Sequence, residues 1–114
     1  MFEGLKDLGN LGELMKKAQE MQEGVRKLQE ELARKQVTSD AGGGMVQATV
    51  NGRLELVKLR IDKSKIDLND TEMLEDVIVA AVHAAQTRAG EVIRQAMQQK
   101  AAEMGIPPGI LPPG

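Results

Sequence analysis

From Leu11 onward, apolar residues recur at alternating spacings of three and four: Leu11, Leu14, Ala18, Met21, Val25, Leu28 and Leu32. This is the a/d pattern of a helix with a narrow apolar seam. Its flanks carry Lys16, Lys17, Glu20, Glu23, Arg26, Lys27, Glu30, Glu31, Arg34 and Lys35, a mixed-sign surface suited to water and to charge pairs along the helix. Asn10 followed by Glu13 has the form of a capping box, which predicts a helix start at that point. Gly24 weakens the helix by about 1 kcal/mol relative to Ala. The seam predicts packing against another helix, as a dimer or core contact, in preference to docking of a foreign partner.

Thr38 to Gly44 is small, polar and glycine-rich, and reads as a loop. The period then changes to two. Val46, Ala48 and Val50 alternate with Met45, Gln47 and Thr49, and Asn51-Gly52 supplies residues that tolerate the positive φ of a two-residue type I′ turn. The return strand is expected from Arg53 to Ile61, pairing Val50 with Arg53, Ala48 with Glu55 and Val46 with Val57. That register puts Val57, Leu59 and Ile61 on one face and Leu54 and Leu56 on the other. Either both faces are partly covered, or a bulge near Leu56 changes the phase.

Asp62 to Asn69 is a polar connection, and Asp70 is a good N-cap, with Glu72, Glu75 and Asp76 near the positive end of the next helix dipole. That helix should run to about Met104 with a wide apolar face including Leu74, Val77, Ile78, Ala81, Val82, Ala85, Ala89, Val92 and Ile93. Gly105 and Pro107-Pro108 stop it. The expected organisation is a flexible start over 1–9, a single α-β-α domain over 10–104 and an extended, mobile Pro/Gly-rich tail over 105–114. The class is α+β: long helix, β-hairpin, long helix.

Composition sharpens this picture. Of 114 residues only Phe2 is aromatic, so the core must come from aliphatic side chains and Ala, and such helices commonly complete their burial in a two-fold dimer. Absence of Cys excludes disulfides and thiolate metal sites and fits a reducing, cytoplasmic setting. Gly4, Gly9 and Gly12 and the charges Glu3, Lys6 and Asp7 interrupt the N-terminus, so it lacks the apolar stretch of a signal peptide. Nothing approaches the roughly 20 apolar residues of a membrane span. The net charge of −2 gives no global attraction to a polyanion, but it is uneven: Asp62 to Asp76 holds six acids and two lysines.

No catalytic constellation emerges. His83 is the sole histidine and has no co-ligand for zinc; Ser39 and Ser64 lie outside any triad motif; and capping accounts for Glu72, Glu75 and Asp76. Gly42-Gly43-Gly44 is followed by a strand and lacks the Lys-Ser/Thr pair of a phosphate loop. The expectation is a protein that is not an enzyme, with no cofactor, metal, membrane or small-molecule substrate. Modules for single strands and RNA stack bases on aromatic side chains, which one Phe cannot supply. Duplex DNA requires only cations against phosphates. Lys16, Lys17, Arg26, Lys27, Arg34, Lys35, Arg88, Arg94 and Lys100, all on or at the ends of the two helices, are the candidate contacts.

Gly42-Gly43-Gly44-Met45-Val46, Val50-Asn51-Gly52, Ile61-Asp62 and the run Asp70-Thr71-Glu72-Met73-Leu74-Glu75-Asp76-Val77-Ile78-Val79-Ala80-Ala81 occur in that order. With "LGNLGELMKKAQEMQ" near the start and the Pro-Pro-Gly tail, the chain strongly resembles the bacterial YbaB/EbfC family of nucleoid-associated proteins over nearly its whole length. Lys63 stands where the family usually has Pro, relaxing the turn after Ile61, and His83 where it usually has Asn. The resemblance implies a tweezer-shaped homodimer in the cytoplasmic nucleoid that binds DNA, alters its conformation and influences nucleoid organisation and gene expression. The alternative is a protein-interaction module such as a prefoldin-like co-chaperone, which also joins two helices through β-hairpins.

Overall fold

A computed structural model of the chain describes residues 2–105, and side chains from residue 10. The side chains of 1–9 and all of 106–114, where a flexible start and most of a Pro/Gly-rich tail were expected, lie outside the described residues. The elements in order are α1 (Phe2–Arg34), β1 (Val37–Ala41), β2 (Val46–Val50), β3 (Leu56–Ile61) and α2 (Thr71–Glu103), with the strands forming one antiparallel sheet in the order β1-β2-β3. The α+β expectation holds, with one strand more than a hairpin.

α2 seats the sheet. Ala81, Ala85 and Ala89 are buried, four residues apart on one stripe, and form a single cluster with the buried Val46, Ala48 and Val50 of β2. Methyl groups along the contact let the helix axis approach closely. Val37 and Ala41 of β1 and Leu74, Val77, Ile78 and Val82 of α2 close the cluster's margins. The helix packs on β1 and β2 and scarcely reaches β3. Its start is the one expected: the Asp70 carboxylate accepts from the Met73 amide at 3.1 Å, and the helix ends at Glu103 with Met104 as its cap.

Four expectations are corrected. α1 is already under way before Asn10, which therefore lies inside the helix instead of capping it; Gly4, Gly9 and Gly12 lower helix propensity by about 1 kcal/mol each but do not block the conformation. The segment from Thr38 is a strand, not a loop. Val37, Ser39 and Ala41 turn toward α2 while Thr38 and Asp40 face out, and the turn is confined to residues 42–45, with Gly42, Gly43 and Gly44 at φ of 65°, 66° and 86°. The return strand begins at Leu56, not Arg53, because residues 51–55 form a longer turn organised by Asn51. Its carboxamide oxygen accepts from the amides of Arg53 at 2.9 Å and Glu55 at 3.1 Å. Positive φ falls on Leu54 at 64° and not on Asn51-Gly52. The register shifts accordingly: Val46 pairs with Ile61, Ala48 with Leu59 and Val50 with Leu56. Thr49 pairs with Lys58, so Val57 is an extra residue, the bulge beside Leu56 that the sequence left open.

α1 docks at two places. Gly24 lies against α2's end, where a Cβ would come 3.1 Å from the Met104 methyl. Gly52 abuts α1's C-terminus so tightly that a Cβ would overlap the Leu32 carbonyl and fall 2.9 Å from the Ala33 nitrogen. The glycine is required here for close approach of two backbones. Because α1 passes α2's end near Gly24, the seam divides. Leu32 is buried and Met21, Val25 and Leu28 are half-buried, whereas Leu11, Leu14 and Ala18 are exposed on a projecting arm of a molecule 82 Å long.

A matched pair of substitutions tests the close approach. Gly52→Ala should lower the denaturant midpoint by an amount equivalent to about 1–3 kcal/mol, the cost of overpacking against atoms that cannot give way. Gly90→Ala, on a helical site with nothing within 4 Å, should raise it by up to about 1 kcal/mol.

Candidate nucleic-acid interface

The helix-borne cations do not converge on one point. Lys16, Lys27 and Arg34 are separated by eleven and seven residues, close to whole numbers of turns, and occupy the stripe of α1 opposite the seam. They and Lys17, Lys35 and Arg94 are exposed and have no ion-pair partner among the described residues. The other three are engaged. Arg26 lies between Glu23 and Glu30, donating to Glu23 Oε2 at 3.2 Å and Glu30 Oε1 at 2.7 Å. The hydrogen bond to Glu23 holds the Arg26 pKa above, and that of Glu23 below, their ordinary values. Such exposed pairs add little stability, but this one occupies the guanidinium. Arg88 donates to the Thr38 carbonyl at 3.2 Å, tying α2 to β1, and Lys100 is half-buried, 3.9 Å from Glu103. From residue 10 to its end, α1 sets five cations against five acids, and Lys35 follows just beyond it, so its surface is balanced.

A denser cationic segment lies on the hairpin, outside the helix-borne set. Residues 53–65 hold Arg53, Lys58, Arg60, Lys63 and Lys65 against Glu55 and Asp62. A charge window from Asp62 to Asp76 absorbs Lys63 and Lys65 into the acidic start of α2 and hides them. The signal was the period of two: Lys58 and Arg60 alternate with Leu59 and Ile61. Partnered residues on antiparallel strands share a face, so Leu56, Leu59 and Ile61 lie on the α2 side with Val50, Ala48 and Val46, and Lys58 and Arg60 lie on the outer side with Thr49 and Gln47. Thr38 and Asp40 of β1 complete that outer face. The Thr38 and Thr49 hydroxyls are 2.7 Å apart across it.

At the far end of β3 an open depression of about 540 Å³ is lined by Gly44, Gln47, Arg60, Lys63 and Ser64 among others. The Asp62 carboxylate is turned into its own loop, accepting from the Ser64 hydroxyl at 2.6 Å and the Ser64 amide at 3.0 Å. The hydroxyl bond first, then the amide bond, holds its pKa below the usual carboxylate value. Lys65 reaches back to the Gly43 carbonyl at 3.2 Å. His83 is exposed on α2. Among the described residues no three His, Asp or Glu side chains gather where they could hold a metal ion, and no helix is long and apolar enough to cross a membrane.

The sequence profile of the YbaB/EbfC DNA-binding family matches residues 8–104, which include all five elements except the first residues of α1. The chain belongs to this family. It is 45% identical over 98 residues to a nucleoid-associated protein of Thermoanaerobacter pseudethanolicus, covering 86% of this chain and 88% of that one. A nucleoid-associated protein of Xanthomonas campestris is 45% identical over 102 residues, covering 90% and 94% of the two chains. The crystal structure of an uncharacterized protein from Helicobacter pylori shares the fold with a TM-score of 0.57 at 30% identity, over 70% of this chain and 93% of that one. All nine helix-associated candidates and all five hairpin cations fall inside the YbaB/EbfC match.

The Asp62 turn gives a pH expectation with a definite sign. A carboxyl whose pKa is depressed on folding adds stability above its ordinary value, and that contribution disappears as pH falls through the lowered one. An NMR titration of the Asp62 carboxyl carbon should show a midpoint below the ordinary carboxylate range, and Ser64→Ala should move it upward. An unchanged midpoint in the variant would mean that the Ser64 hydroxyl does not set the charge of this turn.

Proposed function

We propose that this YbaB/EbfC member is a nucleoid-associated protein of the bacterial cytoplasm that works as a homodimer and holds duplex DNA chiefly through phosphate contacts, altering its conformation with little reading of bases. Membership of a DNA-binding family and relatives named as nucleoid-associated proteins support the DNA role. The observation that carries the mode of contact is the projecting part of α1. Beyond α2's end it carries Lys16 and Lys17 beside Glu13 and Glu20, with Leu11, Leu14 and Met15 uncovered, and Lys16 begins a row that continues along the docked part through Lys27 and Arg34. Lys and Arg on a rigid helix suffice to neutralise phosphates, and neither a cofactor nor turnover is needed. Lys16, Lys17, Lys27, Arg34, Lys35 and Arg94 are the free members of the helix set; Arg26, Arg88 and Lys100 reach phosphate only by leaving the partners they have.

The homodimer reading rests on β3. Leu56 and Leu59 lie on the α2 side of the sheet, yet α2 does not cover them, and they are 45% and 38% exposed. Leu54 adjoins them, 41% exposed and held at a positive φ that costs a branched side chain about 1–2 kcal/mol. An apolar patch along a sheet edge is the surface that a second copy buries. Direct pairing of two β3 edges brings Lys58 and Arg60 of both copies together, which like-charge repulsion disfavours. The apolar side is therefore the better contact.

One observation favours the co-chaperone alternative: Leu11, Leu14 and Met15 on the projecting arm are 49%, 61% and 59% exposed, an apolar tip of the sort that engages unfolded clients.

Two measurements decide. In titrations of a random-sequence duplex against salt, Lys16→Gln/Lys27→Gln/Arg34→Gln should weaken binding on every sequence, and the log–log salt slope should shrink by up to about 0.9 for each phosphate no longer neutralised. An unaltered slope removes α1 from the interface, and suppression of client aggregation with no DNA retardation at low salt identifies the co-chaperone. Separately, Leu56→Glu/Leu59→Glu should convert a dimer to a monomer in sedimentation equilibrium; a persistent dimer mass places the contact elsewhere.

A further inference from the structure

The geometry points to a second phosphate-binding surface, on the outer face of β3 and the loop that follows it, where Lys58, Arg60 and Lys63 engage the backbone of duplex DNA. This inference rests on the DNA-binding reading and adds a site that the helix-borne cations do not include.

Three observations converge. The first is local charge: from Arg53 to Lys65 five cations face two acids, whereas the chain as a whole is net negative. A polyanion is attracted to that local excess and not to the total. The second is availability. Lys58, Arg60 and Lys63 are exposed and have no ion-pair partner among the described residues. The nearest acids are committed or set back. Asp62 accepts two hydrogen bonds from Ser64, with Lys65 at 4.0 Å. Asp40 shares the outer face but is separated from Arg60 by Gln47 of β2, two strand spacings or about 10 Å away. Glu55 lies in the Asn51 turn, 3.4 Å from the Asn51 amide nitrogen.

The third is rigidity. Lys58 and Arg60 stand two positions apart on a paired strand, roughly 7 Å from each other, fixed in register by Thr49 and Gln47. Lys63 follows at the rim of the depression lined by Arg60, Gln47 and Ser64. The polar groups around the row, Gln47 and Ser64, are of the kind that contact phosphate and sugar oxygens without reading sequence. The apolar side chains of β3 point the other way, so a partner covering Leu56 and Leu59 leaves this row open to DNA.

Cations on an edge strand have a plainer role as guards against strand-to-strand aggregation. Guards of that kind leave DNA affinity untouched when they are neutralised, and this separates the two roles. The experiment is fluorescence anisotropy of a labelled random-sequence duplex across a salt series. It compares the full chain with Lys58→Gln/Arg60→Gln/Lys63→Gln and with the charge-preserving Lys58→Arg/Arg60→Lys/Lys63→Arg. Sedimentation equilibrium and thermal melts confirm that each variant keeps its assembly and fold.

The neutralised variant should bind about ten- to a hundredfold more weakly near 0.1 M salt and lose up to about 2.7 from its salt slope, and the charge-preserving variant should keep the parent slope. A parent that binds with a salt slope matched by the neutralised variant overturns this inference and leaves the DNA-binding reading intact. A parent that ignores the duplex even at low salt overturns both. If the neutralised variant misfolds, the charge-preserving variant with Lys58→Gln alone decides: a slope smaller by about one in that single variant supports the site, and no change refutes it.

Discussion

A single helix cannot cover a three-stranded sheet, and the consequences of that mismatch run through the molecule. A helix is about 10 Å across with its side chains, and three strands at about 4.8 Å spacing need more than that. α2 lies over β1 and β2 because Ala81, Ala85 and Ala89 let it sink onto Val46, Ala48 and Val50. β3 is left with Leu56 and Leu59 largely uncovered, and of its inward side chains Ile61 alone packs on the core. A longer apolar side chain in the alanine stripe would lift the helix from β2 and lose the close packing on which the core depends. With so few large residues available, the sheet gains its burial from proximity, and proximity confines the helix to two strands. α1 does not repair the gap, because it meets the sheet only at its end, where Gly52 abuts Leu32.

The same layout separates charge. The acids between Asp67 and Asp76 gather at the start of α2, where Asp70 caps the helix and Glu72 faces the positive end of its dipole. The free cations of α1 lie on the stripe away from its seam, and those of the hairpin lie on the sheet's outer face. The arm of α1 projects along a molecule 82 Å long, whereas the hairpin cations adjoin the acidic loop, with Lys65 4.0 Å from Asp62. Charges more than a Debye length apart, about 8 Å at physiological ionic strength, are largely screened from one another, so a net charge of −2 does not by itself bar a polyanion from a locally cationic surface.

Much of the architecture was legible in the residues. Asp70 and the apolar face of α2 were readable because capping and a period near 3.6 are local signals, strong over 33 residues. The seam was legible as a seam, but its division into docked and exposed parts depends on where α2 ends relative to Gly24, a tertiary fact. β1 was hidden because Ser39 and Asp40 are poor strand formers and three glycines follow at once; pairing with β2 and the packing of Val37 and Ala41 under α2 make the segment a strand. The Asn51-Gly52 turn misled for a different reason. The glycine serves close approach to Leu32 and not positive φ, and that approach involves a helix twenty residues upstream. Of the candidate site, the cations on α1 were legible in the chain, and so was the engagement of Arg26, since Glu23 and Glu30 stand three and four residues from it; the tie of Arg88 to the Thr38 carbonyl is tertiary. Lys58 and Arg60 are signalled by their alternation with Leu59 and Ile61, but that Leu56 stands clear of them on the other side required the bulge.

That bulge determines what kind of surface β3 presents. In an unbroken strand residues 56, 58 and 60 share one side, which would set Leu56 beside Lys58 and Arg60 and mix an apolar side chain into the cationic row. The extra residue at Val57 reverses the phase once, so Leu56 falls with Leu59 and Ile61 while both cations remain opposite. One side of the strand is then continuously apolar and the other continuously basic. The first is costly to leave in water; the second is costly to bury. A second protein surface and a hydrated polyanion satisfy those two demands on opposite sides of one strand, and the bulge keeps the demands apart.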